Sequence, residues 1–295
     1  MAPAVEPRIL RQDIGDAEIS YLSYDGGGPA VLLLHATGFL PWLWHPVARA
    51  LSPTYRVIAP YICDHRQAEP EEGGFDWLVL ARDMALFCER LGIGSAFAAG
   101  HSMGATVMTI AHAQFGLPME GLVLIEPIFL PPEWYRIRLS VEDHPLASRS
   151  IKRTNGWPDE AAALRYLQSR ELFRKWDAEV LQLYLRHGMM PSEDGGLRLV
   201  CPPRKEASLF MGSLHFDPWP LLPLVRCPTL LLEGETSNNK SYIDLAKAAA
   251  AIPRVSHRVV ADAGHLIPME KPREVAEALL EFFALCSDGS RRSVS

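Results

Sequence analysis

Gly100-His101-Ser102-Met103-Gly104 is the stretch that most constrains how this chain can fold. It follows an apolar, strand-like run, Ala96–Ala99, and opens a helix-like run, Met103–His112. A chain passing from strand to helix over so few residues makes a turn with no room for side chains two before and two after its apex. Glycine stands at both of those positions. The apex serine must then adopt strained backbone angles and project its hydroxyl above the sheet.

The rest of the chain supplies the sheet that such a turn needs. Short apolar runs recur at Ala17–Tyr21, Ala30–Leu34, Arg56–Ala59, Gly121–Ile125, Thr229–Leu232 and Arg254–Val260. Helical patterns lie between several of them. Asp76–Leu91 is closed by Gly92. In Arg273–Leu285, Val275, Leu279, Phe282 and Phe283 fall on one face behind Pro272. Apolar strands alternating with helices predict an α/β fold, a mostly parallel central sheet flanked by helices on both faces. From about Leu130 to Pro220 the alternation stops and the pattern is helical only: Pro158–Gln168, Glu171–Trp176 and Asp177–His187. Within Arg136–Lys205, thirteen Lys and Arg oppose nine Asp and Glu, in a chain whose net charge is −6. A basic insertion in an acidic body reads either as an anion-preferring layer or as a solvated face. The expected division is a core at 1–130 and 220–286, an inserted layer at 131–219, and a disordered tail at 287–295, where small polar residues dominate.

Composition excludes several classes. No apolar run approaches the ~18 residues of a membrane span. The acidic balance leaves no electrostatic footprint for nucleic acid. The five cysteines (Cys63, Cys88, Cys201, Cys227, Cys286) are odd in number and never closer than 25 residues, which fits neither a disulfide framework nor a metal or redox pair. Met1–Leu10 lacks the apolar stretch of a signal peptide. These features lead to the expectation of a cytoplasmic enzyme whose partners include neither nucleic acid nor membrane.

The chain resembles the α/β-hydrolase superfamily from about Ile19 to Leu285. The matching pieces are Leu32–Phe39 (LLLHATGF), Gly100–Ala105 (GHSMGA), Leu122–Pro127 (LVLIEP), Cys227–Glu235 (CPTLLLEGE) and Asp262–Pro272 (DAGHLIPMEKP). By that resemblance the insertion is a helical cap, Ser102 the nucleophile, and His265 its base, in a Gly-His loop between the final strand and the final helix. His101, inside the turn, is expected to point away from the reaction, and His35 to be structural. Met103 and Thr37 are the expected donors of an oxyanion hole, although Ala36 replaces the family's usual glycine. The aromatic loop Phe39, Trp42 and Trp44, with Trp134 and Trp219 in or near the insertion, reads either as core or as the lining of an apolar substrate pocket.

The third member of the triad departs from the common pattern. Many relatives carry an aspartate about three residues after the glycine that follows the next-to-last strand. Here that position is Ser237, and Arg226–Tyr242 contains no aspartate at all. Glu235 lies in the same loop but two residues early. Glu126 lies twenty-four residues after Ser102, at the end of an otherwise apolar strand, where some branches of the family place their acid. A carboxylate there is costly unless paired, and an imidazole would pair it. Glu126 is therefore preferred, ahead of Glu235 and Asp262.

The resemblance implies a serine hydrolase that cleaves an ester or lactone of a small apolar or aromatic substrate through an acyl-enzyme, without metal or organic cofactor, with that small molecule as its partner and a homodimer compatible with it. Two alternatives stay open: a cofactor-free perhydrolase, haloperoxidase or carbon–carbon bond hydrolase using the same triad, and a weakly catalytic small-ligand receptor. Fold alone does not separate them.

Overall fold

The computed structural model describes residues 5–62 and 64–292, with side chains described as far as Asp288. Cys63 and residues 293–295, part of the expected tail, lie outside the described residues. The chain order is β1 (Arg8–Asp13), β2 (Glu18–Tyr24), β3 (Ala30–Leu34), α1 (His45–Leu51), β4 (Arg56–Pro60), α2 (Trp77–Arg90), β5 (Ala96–His101), α3 (Met103–Phe115) and β6 (Met119–Ile125). A largely helical segment follows, with α4 (Ala147–Ser150), α5 (Glu160–Gln168), α6 (Ala178–His187), β7 (Met189–Pro191), β8 (Leu197–Leu199) and α7 (Pro203–Met211). The sheet then resumes with β9 (Thr229–Gly234), α8 (Leu245–Ala251), β10 (Val255–Val260), α9 (Ile267–Glu270) and α10 (Pro272–Arg292).

Eight strands form one sheet in the order β1-β2-β4-β3-β5-β6-β9-β10. Only the β1–β2 and β2–β4 pairings are antiparallel. The chain thus has the α/β-hydrolase fold, a mostly parallel sheet flanked by helices. Period-two alternation divides the core into two layers. Leu32, Leu34, Ala98, Leu122, Leu124 and Leu231 pack toward Leu80, Met84 and Phe87 of α2 and Val107 of α3. Val31, Leu33, Phe97, Ala99, Val123 and Leu230 face the opposite side, with Val47 of α1 and Leu279 and Phe283 of α10. There Phe97 and Phe283 stack at 4.6 Å.

Helix boundaries follow local chemistry. The Asp76 carboxylate accepts from Leu78 N at 2.8 Å and caps α2, and Gly92 takes φ +65° just past its end. Asp159 and Asp177 cap α5 and α6 in the same way.

Three expectations need correction. The segment between β6 and β9 is not purely helical, because β7 and β8 pair in a short antiparallel hairpin. β1 has no counterpart among the expected strands. It is an edge strand open to solvent, so it lacks the buried apolar run that marks the others. The tail does not begin at 287, since α10 continues through Arg292. Extending a packed helix adds one backbone hydrogen bond per residue at little cost, and the Ser287 hydroxyl donates back to the Phe283 carbonyl at 2.9 Å.

Part of the basic charge of the segment between β6 and β9 is taken up by ion pairs. Arg204 pairs with Glu69 and Glu71, Lys205 with Asp64, and Lys175 with Asp262, each joining this segment to the sheet-bearing part. Arg49 of α1 makes a two-pronged contact to Glu179 of α6, at 2.6 and 3.0 Å. Arg174 turns to Glu171 within the segment, and Arg170 lies over the Tyr166 ring. Among the described residues no helix is long and apolar enough to cross a membrane.

Candidate active site

β5, β6, β9 and β10 run parallel, so the loops that follow them gather at one edge of the sheet, where ligands of open α/β sheets bind. Ser102 stands at the tip of the β5–α3 turn with φ +55° and ψ −118°, a conformation costing about 1–3 kcal/mol in a non-glycine residue. It is held by its N–H donating to the Ile125 carbonyl at 2.9 Å. Both flanking glycines are sterically required. A Cβ on Gly100 would come within 2.5 Å of the backbone of Gly104 and Ala105, and one on Gly104 within 2.5 Å of the Leu34 carbonyl oxygen.

The structure brings Ser102, His265 and Glu126 together. His265 Nε2 is 3.1 Å from Ser102 Oγ, and its Nδ1 is 3.0 Å from Glu126 Oε2. Glu126 is buried, at 2% exposure, and takes φ +49° immediately after β6. Its N–H donates to the Leu232 carbonyl at 2.9 Å. Its carboxylate accepts from Gly234 N and from the Ser237 hydroxyl, each at 2.7 Å. An acid buried in an apolar strand end therefore has three partners, which offset its desolvation.

Glu235 and Asp262 do other things. Glu235 Oε2 accepts from Asp262 N at 2.9 Å. Asp262 takes φ +51° and receives Lys175 at 2.8 Å. Both shape the loop that carries His265, as does Glu270, whose carboxylate accepts from Gly264 N at 2.8 Å. His101 is buried; its Nε2 is 2.8 Å from the His265 carbonyl oxygen. Burial, with the neighbouring His265 ring, holds His101 well below the ordinary histidine value.

His35 fixes the loop after β3. Its Nε2 accepts from Ile62 N at 3.2 Å, so Nδ1 carries the proton and donates to the Ala36 carbonyl at 2.9 Å. Burial pushes its pKa down to about 4. Thr37, 7% exposed, sits in this loop, and Met103 is the first residue of α3, where an N–H has no partner within the helix. Gly38 takes φ +75°, and a Cβ there would lie 2.2 Å from Glu206 Oε1. Glu206 is bound by Arg153 and by the Ser150 hydroxyl, and Arg153 also donates to Tyr184 OH at 3.0 Å.

The aromatic candidates divide. Phe39 packs edge-on against Trp176 and Tyr184, at 5.5 and 5.9 Å. Trp134 stacks on Tyr242 at 5.8 Å. Trp42 and Trp44 are instead buried in the core, and Trp42 stacks on His187 at 3.6 Å. Trp219 Nε1 donates to the Leu130 carbonyl at 2.7 Å. Sequence reasoning missed Asn239, whose Nδ2 lies 2.9 Å from His265 Nδ1. The signal was present, since Ser237 stands where many relatives carry an aspartate and Asn239 follows two residues later.

The model of the α/β hydrolase family matches residues 31–278. The 2-(acetamidomethylene)succinate hydrolase of Mesorhizobium japonicum is 26% identical over 275 residues, covering 92% of this chain and 94% of that protein. Among solved structures, E-2-(acetamidomethylene)succinate hydrolase superposes with a TM-score of 0.80 at 24% identity, over 95% of this chain and all of that one. A thermophilic esterase from Thermogutta terrifontis gives a TM-score of 0.70 at 24% identity, over 95% and 99%. The match to the family model spans most of the chain, from β3 into α10, and the chain belongs to the α/β hydrolase family.

Proposed function

We propose that this chain is a serine hydrolase that cleaves a carboxylic ester or lactone of a small substrate through an acyl-enzyme. Residues 131–219 would form a cap over a core of 1–130 and 220–286. The observation that carries the reading is the unbroken line from Ser102 Oγ through His265 to Glu126, at 3.1 and 3.0 Å. A serine hydroxyl is a weak nucleophile until a base takes its proton. In this reading His265 Nε2 accepts that proton as Ser102 Oγ attacks the acyl carbon, and Glu126 steadies the imidazolium. The N–H groups of Met103 and Thr37 would stabilise the oxyanion, Met103 with help from the positive end of α3. His265 then returns the proton to the departing alkoxide. Water, deprotonated by the same ring, attacks the acyl-enzyme and releases the acid.

Labelling with a fluorophosphonate, followed by turnover of p-nitrophenyl esters of graded chain length, tests this reading. Ser102→Ala should abolish both, and His265→Ala should cost about as much as Ser102→Ala because the two act as a unit. A Ser102→Ala variant that retains more than a few per cent of the rate refutes the nucleophile. The name of the Mesorhizobium relative supports a second reading, hydrolysis of an acetamido-substituted dicarboxylate by the same residues. Adding 2-(acetamidomethylene)succinate to the substrate panel separates the two.

A further inference from the structure

The Asn239 carboxamide reaches the same imidazole nitrogen that Glu126 holds. Its Nδ2 is 2.9 Å from His265 Nδ1, and Glu126 Oε2 is 3.0 Å from that atom. Nδ1 carries either a proton or a lone pair, so it cannot serve an amide donor and a carboxylate acceptor together. The carboxylate prevails, because a hydrogen bond to a charged acceptor is about twice as strong as one between neutral groups. Only with the proton on Nδ1 does Nε2 turn a lone pair toward Ser102 Oγ, 3.1 Å away. The amide nitrogen then opposes one donor with another. A half-turn of the amide removes that conflict. On its far side stands the Tyr242 hydroxyl, 2.6 Å from Oδ1, which accepts as readily as it donates. Tyr242 is itself held by its stack on Trp134, the rings 7° from parallel.

We propose that Asn239 is a positioning residue that turns its carbonyl oxygen to His265 and shares the Nδ1 proton with Glu126, holding the ring in the tautomer that leaves Nε2 open to Ser102. This inference rests on the reading of Ser102 as nucleophile and His265 as base. A second acceptor counts most when the ring takes up the serine proton, because the Nδ1–H then belongs to a cation. The titratable groups around the ring are Glu126 from the end of β6, His101 from β5 with ring centroids 5.1 Å apart, and Tyr242 behind the amide. Burial keeps His101 neutral and raises the Tyr242 phenol, so neither titrates in the range where the ring works.

The test uses the full chain with Asn239→Leu and Asn239→Asp, and with Asn239→Ala should the leucine variant not fold. Nitrogen-15 NMR of histidine-labelled protein reports which ring nitrogen of His265 is protonated, with no substrate present. Profiles of kcat and KM against pH, on a p-nitrophenyl ester that the wild type turns over, report the effect on the base. Nδ1–H is expected in the wild type. Asn239→Leu should lower kcat about three- to tenfold, the worth of one hydrogen bond, with KM unchanged. Its acid limb should move to lower pH, because the imidazolium has lost an acceptor. Asn239→Asp should move that limb to higher pH and restore part of the turnover lost in Glu126→Gln. A wild-type ring protonated on Nε2, or a leucine variant whose acid limb coincides with the wild type, overturns the proposal. Failure of the hydrolase reading is separate: it appears as turnover that does not depend on Ser102, while the NMR measurement still decides the placement of Asn239.

Discussion

Ser237 donates its hydroxyl to Glu126 Oε2 at 2.7 Å, across 111 residues of chain. The loop after β9 thus lends a hydroxyl to a buried carboxylate that comes from the end of β6. Glu126→Gln keeps the shape of the side chain but favours the wrong imidazole tautomer, an exchange that costs on the order of 10⁴ in kcat in a serine protease. A loss of several orders of magnitude is expected for Glu126→Gln, measured on protein whose circular dichroism matches the wild type. Glu235→Gln, which removes a charge but keeps a side-chain oxygen that can accept from Asp262 N, should stay within about tenfold. The reverse ranking would return the acid to the loop after β9.

Gly104→Ala tests the tightness of the turn. The added Cβ would meet the Leu34 and His35 carbonyl oxygens at 2.5 and 2.7 Å, and backbone cannot move aside as a flexible side chain would. Overpacking of this kind costs about 1–3 kcal/mol or more. The urea midpoint should fall accordingly, and an unchanged midpoint would show that β3 and α3 can separate.

Acid should weaken the fold in two stages. His35, buried, has its pKa lowered to about 4, whereas an unfolded histidine titrates near 6.5. The unfolded chain therefore binds more protons between those values, and stability falls as pH drops from about 6.5 toward 4. Asp83 follows at lower pH. Burial alone would raise its pKa, but hydrogen bonds from His65 and Arg66 outweigh burial and hold it at about 2. Its contribution is present above the unfolded value near 3.9 and is lost as pH falls toward 2, about 2 kcal/mol in all. In urea titrations against pH, Asp83→Asn should flatten the lower stage and leave the upper one intact.

Arg153 and Glu206 pair beside Gly38, and both are largely shielded from solvent, with side-chain exposures of 25% and 11%. Removing one member of such a pair leaves the other charge without its partner, at a cost of about 3 kcal/mol. Arg153→Met should lower stability by about that amount in urea unfolding. The double variant Arg153→Met/Glu206→Met should recover most of it, because apolar replacement of a whole buried pair is often close to neutral. A double variant no better than the single one would mean that the Tyr184 and Ser150 contacts dominate.

Features that depend on near neighbours were legible in the amino-acid order alone. The glycines around Ser102 follow from the volume available in a strand-to-helix turn, and the two core layers follow from side chains alternating along β3, β5 and β6. The caps at Asp76, Asp159 and Asp177 are set within two or three residues of where they act. The amino-acid order also singled out Glu126, through the cost of an unpaired carboxylate in an apolar strand, and the family resemblance named His265 as the imidazole to meet it. Tertiary structure decided the rest. Glu126 reaches His265 across 139 residues and Asn239 reaches it across 26, distances over which no local pattern carries information. β1 is marked only by its pairing with β2, since an edge strand exposed to water needs no apolar run. Trp42 and Trp44 have the same composition whether they line a pocket or fill a core. The packing of α1, α6 and α9 and of strands β2 to β4 around Pro41–Trp44 decided it.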